Sequence, residues 1–342
     1  MRFAPKWSLW LSVFASAAAA TTGACATETS TAFQGKQIRF VTMGGPGGGY
    51  DTYMRVLIPP LEKALGAKLI PLNEPAAGGL VAMSRVVSAP SDGTTIGLIG
   101  GEALATAELY KSPGAHYKLA QVPILGRISA EAKVIVVSAK SRYNKIGDII
   151  SSGSTFTWAG SGNSDGNSDF AAILAHATGM KSKIIVGYKG SGGMNLAIEN
   201  GEVDARVVSD EAAALFTKGN QFRVLAIMAR QRSSSFPEVA TIFEQAKFAP
   251  LDEKLLDWRA GVADLGRLVV TTPNTPPSSI AALRAALDRA VKDEGFIKEV
   301  RRHGLEPTFV SGEEMEKNVS LALNELDEET LNRVRDIVTK NF

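Results

Sequence analysis

A repeated alternation of an apolar run, a glycine-rich turn and a helical pattern is the feature that most limits the folds open to this chain. Its first unit comprises residues 38–43 as a strand, residues 44–49 as the turn and a helix that opens at Asp51. Strands that alternate with helices form mainly parallel sheets, because each helix serves as the crossover between two strands. The pattern therefore predicts an α/β protein. We expect Pro59 and Pro60 to interrupt the first helix, since proline removes a backbone donor.

The length of the chain predicts two domains. Of the 342 residues, about 310 follow a predicted leader, which is more than one hydrophobic core usually serves. A fully apolar strand at 134–137 marks the first crossing between domains, and a strand at 268–271 marks the return. We therefore assign residues 33–133 and 263–342 to lobe 1 and residues 134–262 to lobe 2.

The first 26 residues have the pattern of an export signal. Arg2 and Lys6 precede a mostly apolar stretch at 7–20, which is shorter than the roughly 20 apolar residues that a membrane span needs. Cleavage after Ala26 would give a free periplasmic protein, which we favour over an uncleaved anchor. Cleavage before Cys25, the only cysteine, would instead give a lipoprotein, but the leucine usual in such signals is missing.

Charge argues against a nucleic-acid partner. Arg2 and Lys6 are the only charged residues of the predicted signal, so its removal lowers the formal net charge from +2 to zero. Nucleic-acid surfaces are rich in clustered basic residues, and the sequence has no such stripe. With three histidines and no cysteine after the signal, we also expect no transition-metal site and no cofactor.

Four glycine-rich junctions between strands and helices are candidates for ligand binding: 44–49, 76–79, 160–167 and 190–193. Each should place free N–H groups at a helix N-terminus, where the helix dipole favours an anion. In α/β sheets these junctions gather at the carboxyl ends of the strands. Glycine also suits any tight turn, which is the plainer explanation for a single junction. The run 47–49 favours close approach of backbone to a ligand.

Most enzyme motifs are missing from the sequence. Neither the dinucleotide fingerprint GxGxxG nor the phosphate loop GxxxxGK followed by Ser or Thr is present. One motif, GxSxG at 162–166, leaves a secreted serine hydrolase as the alternative function. Ser164 would be its nucleophile, and His303 is the only histidine after His176 that could serve as its base.

Several short segments occur in a particular order along the chain. They are Pro46-Gly47-Gly48-Gly49 with Asp51 and Arg55; Asn73, Pro75 and Ala77-Gly78-Gly79; Ala89-Pro90-Ser91-Asp92-Gly93-Thr94; Tyr188-Lys189-Gly190-Ser191-Gly192; Gly201-Glu202-Val203-Asp204; Thr275-Pro276-Pro277; and Gly304-Leu305-Glu306-Pro307. Together they resemble segments of the extracytoplasmic receptors of tripartite tricarboxylate transporters, the Bug-type proteins. The resemblance implies a type II periplasmic-binding-protein fold, with two α/β lobes joined by crossing strands around a ligand cleft. It also implies a carboxylate held by loop backbone and bridging water, and delivery to a membrane permease.

These arguments together predict a non-catalytic, monomeric binding protein, whose role could also be solute sensing without transport. The expected ligand contacts in lobe 1 are Gly47, Gly48, Gly49, Tyr50, Asp51, Ala77, Gly78 and Gly79. Those in lobe 2 are Ser161, Gly162, Asn163, Ser164, Tyr188, Gly190 and Ser191. For Asp51 a second role stays open, because aspartate is also a preferred helix N-cap.

The sequence departs from the family pattern at two loops. Glu74 stands where a basic or neutral residue is usual, and Ala76 replaces a glycine. The loop 160–169 is one residue longer than usual and lacks a common histidine. Asp165 and Asp169 would repel a second carboxylate if they faced the cleft. We therefore expect a ligand that carries a hydroxyl, an amine or an aromatic ring instead of a second charge.

Overall fold

The computed structural model describes residues 31–160, 166–188 and 190–340, and in them the apolar runs form two β-sheets. The strands are β1 (Gln37–Thr42), β2 (Lys68–Asn73), β3 (Thr95–Gly100), β4 (Ile124–Ser129), β5 (Lys133–Ser138), β6 (Phe156–Ala159), β7 (Ser182–Ile185), β8 (Ala205–Ser209), β9 (Phe222–Ile227), β10 (Arg267–Thr271) and β11 (Val310–Ser311). The predicted signal at 1–26, with Cys25, lies outside the described residues.

Each sheet combines parallel and antiparallel strands. The order in the first sheet is β11-β4-β10-β3-β1-β2, with β1 parallel to both β2 and β3 and with β10 antiparallel to β3 and β4. The order in the second is β7-β6-β8-β5-β9, with β6 parallel to β7 and β8 and with β5 antiparallel to β8 and β9. The α/β prediction is therefore confirmed.

Helices cover both sheets. They are α1 (Gly49–Leu65), α2 (Leu80–Val87), α3 (Gly101–Leu109), α4 (Ile146–Ser152), α5 (Gly166–Thr178), α6 (Gly190–Glu199), α7 (Asp210–Phe216), α8 (Ile242–Gln245), α9 (Pro250–Asp264), α10 (Pro277–Val291), α11 (Glu294–Arg302), α12 (Gly312–Asn324) and α13 (Glu328–Lys340). In the described ranges, none of them has both the length and the apolar character that crossing a bilayer requires. One apolar cluster runs through both sheets, from Val41 in β1 to Trp158 in β6, with Trp258 of α9 among its members.

Helix α1 corrects one prediction, because its double proline does not interrupt it. The helix runs from Gly49 to Leu65 with Pro59 and Pro60 inside it. Leu57 and Leu61, on either side of the prolines, are buried against the first sheet. Burial of a leucine contributes about 1.5–3 kcal/mol, which offsets the backbone hydrogen bonds that the prolines cannot make. The predicted end at Gly66 is confirmed, since this residue caps the helix with φ of 65°.

Two helix starts and several whole helices also differ from the sequence pattern. Helix α5 begins at Gly166, earlier than the expected Asp169, and α6 begins at Gly190 and not after Gly193. Glycine permits but does not favour helix, so periodicity alone could not detect these first turns. Helices α3, α4, α7, α8 and α9 were not predicted, although Pro250 at the start of α9 is a typical first-turn signal.

The topology makes the carboxyl edges of the two sheets face one another. Strand β4 ends at Ser129, which pairs with Arg267, and β5 begins at Lys133, which pairs with Ser209 at the end of β8. Only residues 130–132 separate these two ends. Because the four Cα–Cα steps from Ser129 to Lys133 span about 14 Å at most, the strand-to-helix junctions of both sheets open on the same space between the lobes.

Candidate ligand-binding cleft

The first glycine loop, residues 43–48, is held in shape by the first turn of α1. Gly47 has φ of 78°, a left-handed conformation that favours glycine, and its N–H donates to Oδ2 of Asp51 at 2.8 Å. The N–H of Gly48 donates to the carbonyl of Gly45 at 3.0 Å. Gly48 is the N-cap of α1, and Asp51 is the third helical residue. The alternative role of Asp51 as the N-cap is therefore wrong.

The carboxylate of Asp51 is almost fully occupied by the loop itself. It accepts hydrogen bonds at 2.9 Å from Nε of Arg55 and Nδ2 of Asn73, in addition to the Gly47 N–H. Nδ2 of Asn73 also donates to the carbonyl of Gly44 at 2.7 Å. Burial raises the pKa of Asp51, but the hydrogen bonds from Arg55, Gly47 and Asn73 outweigh it and hold the pKa below its usual value. Asp51 thus fixes the loop.

The outer surface of this loop is backbone. Gly47, Gly48 and Gly49 are exposed, and among the described residues no acceptor meets the N–H groups of Gly49 and Tyr50. Such first-turn groups have no partner within their own helix. They are free to donate to an anion, which the helix dipole would also favour.

The second loop also presents backbone. Residues Ala77–Gly79 form one 3-10 turn, and all three have positive φ, at 51°, 63° and 100°. A side chain on Gly79 would collide with Met43, since its Cβ would lie 2.8 Å from the methionine Cε. Ala77 and Gly78 remain exposed. The alanine in this rare conformation marks the loop as tightly specified.

Glu74, one of the departures from the family pattern, is paired. Its Oε1 lies 2.6 Å from Nη2 of Arg85 on α2. This carboxylate is therefore compensated by a cation of the same lobe.

The second lobe contributes the start of α6. Gly190 and Ser191 are exposed and Tyr188 is half-buried, whereas Ser161, Gly162, Asn163 and Ser164 lie outside the described residues. Arg206 of β8 is buried beneath this turn and donates to the carbonyl and Oγ of Ser191 at 3.0 and 3.1 Å. Arg206 was missed in the sequence, where a basic residue inside the apolar run 203–208 was its only signal.

A second feature that the sequence did not reveal is a cluster of buried charges between the lobes. We name it the inter-lobe charge cluster, and its members are Glu102, Glu131, Lys133, Asp169, Glu211, Arg259 and Arg267. Six of these residues lie at or near the start of a strand or helix at the facing carboxyl edges. The seventh, Arg259, belongs to α9 and lies between those edges.

Arg259 connects the lobes within this cluster. Its side chain is 0% exposed, and its Nη2 lies 2.6 Å from Oε1 of Glu102 on α3 and 2.9 Å from Oδ1 of Asp169 on α5. The hydroxyl of Tyr110 donates to Asp169 at 2.7 Å. Burial raises the pKa of Asp169, and the contacts with Arg259 and Tyr110 oppose that rise. The condition under which Asp169 would repel a ligand is therefore not met, because this carboxylate is enclosed and paired. Asp165 lies outside the described residues.

Arg267 occupies the base of the first loop. Its guanidinium lies 4.9 Å from the ring centroid of Tyr50 and 4.8 Å from that of Tyr53. Nη1 donates to Glu211 of α7 at 2.8 Å, and Nη2 lies 2.7 Å from Oε1 of Glu131. The same Nη2 lies 3.4 Å from the position that a Cβ on Gly49 would take. A charged group of the cluster thus sits directly behind the exposed loop.

Two α/β lobes with facing carboxyl edges, and exposed backbone at the junctions of both lobes, define a two-lobed solute-binding protein. The chain matches the tripartite tricarboxylate transporter family receptor over residues 53–340 and belongs to this family. The resemblance noted in the sequence is thereby confirmed, and the family match gives no support to the hydrolase alternative. His303, the expected base of that alternative, ends α11 and lies 3.4 Å from Glu299.

Two curated relatives cover most of the chain. One is a protein of the tcbD–tcbE intergenic region of Pseudomonas sp. strain P51, 26% identical, with 84% of each chain covered. The other is BugT of Bordetella pertussis, 23% identical, covering 85% of this chain and 87% of BugT.

Solved structures share the fold. A Rhodopseudomonas palustris protein with adipate has a TM-score of 0.69 at 18% identity, covering 88% of this chain and 97% of its own. The periplasmic binding protein BugD has a TM-score of 0.66 at 17% identity, covering 90% of this chain and 97% of BugD. MatC of R. palustris with bound malate has a TM-score of 0.64 at 19% identity, covering 89% of this chain and 99% of MatC. The two-lobed periplasmic-binding-protein fold is therefore confirmed.

Proposed function

We propose that this receptor captures a small carboxylate in the periplasm, performs no chemistry on it and delivers it to the membrane permease of a tripartite transporter. The observation that carries the proposal is the first loop, where exposed N–H groups at the start of α1 have no acceptor among the described residues. Malate and adipate, the ligands named for two proteins of the same fold, are both carboxylates.

The locked geometry of the loop supports a backbone-based site. Because Asp51 is bound by Gly47, Arg55 and Asn73, the loop is held in shape before a ligand arrives. A site that is already organised loses less entropy on binding. In this proposal Asp51 shapes the site, while the amides of the loop contact the ligand.

The remaining contacts follow from the facing junctions. Ala77 and Gly78 would contribute backbone from lobe 1, with Tyr188, Gly190 and Ser191 on the opposite side. We keep the lobe boundaries at residues 33–133 with 263–342 and at 134–262, and we propose a monomer. The signal would direct export and be removed by cleavage after residue 26.

Thermal unfolding of the protein from Thr27 onward, against a panel of mono-, di- and tricarboxylates and aromatic acids, tests this function. A ligand at 100 times its Kd should stabilise the fold by about 2.7 kcal/mol, which raises the midpoint by at least about 2 °C for a chain of this size. Gly48→Val should abolish the shift, because the branched side chain would cover the amides. Its Cβ would lie 3.2 Å from the carbonyl of Gly45, so only a small adjustment of the loop is needed.

Gly147→Val is the matched control, since a Cβ there meets nothing closer than 3.9 Å and α4 precedes the amino end of β6. It should keep the ligand-dependent shift. A Gly48→Val protein that is folded and binds as tightly as the wild type would refute the first-loop site. A flat panel, with protein shown to be free of ligand carried over from its host, would refute carboxylate binding.

A further inference from the structure

Glu131 is the carboxylate of the inter-lobe charge cluster that comes nearest to the first loop. It lies in the crossing segment 130–132, and its Oε1 is 2.7 Å from Nη2 of Arg267. That nitrogen is itself 3.4 Å from the Cβ position of Gly49. After burial, the carboxylate of Glu131 contributes most to raising the pKa of the Tyr50 hydroxyl. Glu131 therefore lies beside the first turn of α1.

The part of the cluster that solvent reaches is acidic. The side chains of Glu131 and Glu102 are 13% and 12% exposed, whereas Lys133 and Arg267 are 6% exposed and Arg259 is fully enclosed. A molecule that enters the cleft would thus meet the side chains of these two glutamates more readily than those of the cations.

The balance of charge adds to this effect. The cluster holds four carboxylates and three cations, and Asp210 adds a further buried carboxyl group next to Glu211. Burial raises the pKa of Asp210, and the charge of Glu131 adds to that rise. Counted with Asp210, the cluster therefore holds five carboxyl groups and three cations.

An ionised carboxylate only accepts hydrogen bonds. A second carboxylate on the ligand would meet like charge there, which is unfavourable. A hydroxyl or an ammonium group would instead donate to Glu131. Glu131 is paired with Arg267 at 2.7 Å and with Lys133 at 3.5 Å, yet its side chain is 13% exposed. Asp169 does not suit this role, because its side chain is only 2% exposed and is enclosed by Arg259 and Tyr110.

We propose that Glu131 is a specificity-determining residue that makes the cleft select a monocarboxylate bearing a distal hydrogen-bond donor, hydroxyl or ammonium, over a dicarboxylate. This inference rests on the proposed function, since it assumes that the carboxylate end binds the first loop. It assigns the other end of the ligand to the acidic surface beside that loop.

Acids of equal length that differ only in their distal group test the inference. Succinate is compared with 4-hydroxybutyrate and 4-aminobutyrate, and adipate with 6-hydroxyhexanoate and 6-aminohexanoate, by calorimetric titration. In at least one series the wild type should bind a donor-bearing acid at least about tenfold more tightly than the diacid, a difference typical of one hydrogen bond to a charged group. The hydroxy and amino members show which donor is preferred.

Glu131→Gln should reduce that ratio to about one third or less, because the amide keeps the shape but loses the charge. The variant should fold, since Arg267 keeps Glu211 and Lys133 keeps Glu102. Glu325→Gln, at an exposed glutamate outside the cluster, is the matched control and should leave the ratio unchanged.

Tighter binding of the diacids, no binding by any donor-bearing acid, or an unchanged ratio in Glu131→Gln would overturn the inference. The proposed function would survive each result if another carboxylate stabilised the wild type and failed to stabilise Gly48→Val. The proposed function itself would be refuted only if no carboxylate bound to the wild type.

Discussion

The first loop and the inter-lobe charge cluster lie next to each other but are stabilised in different ways. In the loop, Asp51 bonds to Gly47 and Arg55, each four residues away along the chain. In the cluster, Arg259 bonds to Glu102, which is 157 residues away. Arg55 is 53% exposed, whereas Arg259 is fully enclosed. Local contacts thus shape the proposed contact surface, and long-range buried contacts hold the two lobes that present it.

The difference in burial predicts that Arg259→Met has the largest effect on stability. The substitution leaves Asp169 and Glu102 buried with one cation fewer, and loss of one partner from a buried ion pair costs about 3–5 kcal/mol. Urea unfolding of the variant measures this loss.

A second substitution separates charge from packing. In the double variant Arg259→Met with Asp169→Asn, the charge left without its arginine is removed, and Glu102 keeps Lys133. We expect part of the lost stability to return. A double variant that is as unstable as the sum of the two single variants would show that the Arg259–Asp169 pair does not contribute to stability.

Asp51→Asn should have an intermediate effect, because it replaces an acceptor of three hydrogen bonds by an amide that also donates. A hydrogen bond to a charged group contributes about 1.5–3 kcal/mol to stability. We expect Asp51→Asn to lower the free energy of unfolding by an amount in that range and to weaken ligand binding. The pH dependence of the unfolding midpoint provides an independent check. The pKa of Asp51 is lower in the folded chain than in the unfolded chain, so its stabilisation is present above about pH 4 and is lost as the pH falls through the folded pKa.

The midpoints of the wild type and Asp51→Asn should therefore converge below about pH 4 and stay apart at neutral pH. A difference that does not change with pH would mean that the charge of Asp51 has no role in holding the loop.

Arg230→Ala should have the smallest effect and serves as the surface counterpart of Arg259. Arg230 also bridges two acids, Glu253 at 2.6 Å and Asp257, but its side chain is 50% exposed. Exposed ion pairs contribute about 0–1 kcal/mol, because water already solvates both charges. A loss by urea unfolding that equals the loss in Arg259→Met would contradict the importance we assign to burial.

The comparison also explains which parts of the site sequence reasoning could find. The glycine run 47–49 and the turn 77–79 were identified because left-handed conformations and close approach require glycine. The role of Asp51 was not resolved, because the sequence does not fix the residue at which α1 begins. A start a few positions later would make Asp51 the N-cap, whereas the start at Gly49 makes it the third helical residue. Glu131 was missed altogether, because nothing near it in the sequence indicates that Arg267 will be its partner.

For the fold, alternation of strands and helices was sufficient to predict the α/β class, since hydrophobic periodicity and turn residues act over a few positions. The two domains were predicted from the length of the chain. The local pattern was insufficient at Pro59 and Pro60. There, burial of α1 residues on either side of the prolines outweighs the tendency of proline to break a helix. The facing of the two carboxyl edges and the charge cluster between them arise only in the folded chain. Burial and pairing of charges depend on residues far apart in sequence, and no local pattern encodes which of them will meet.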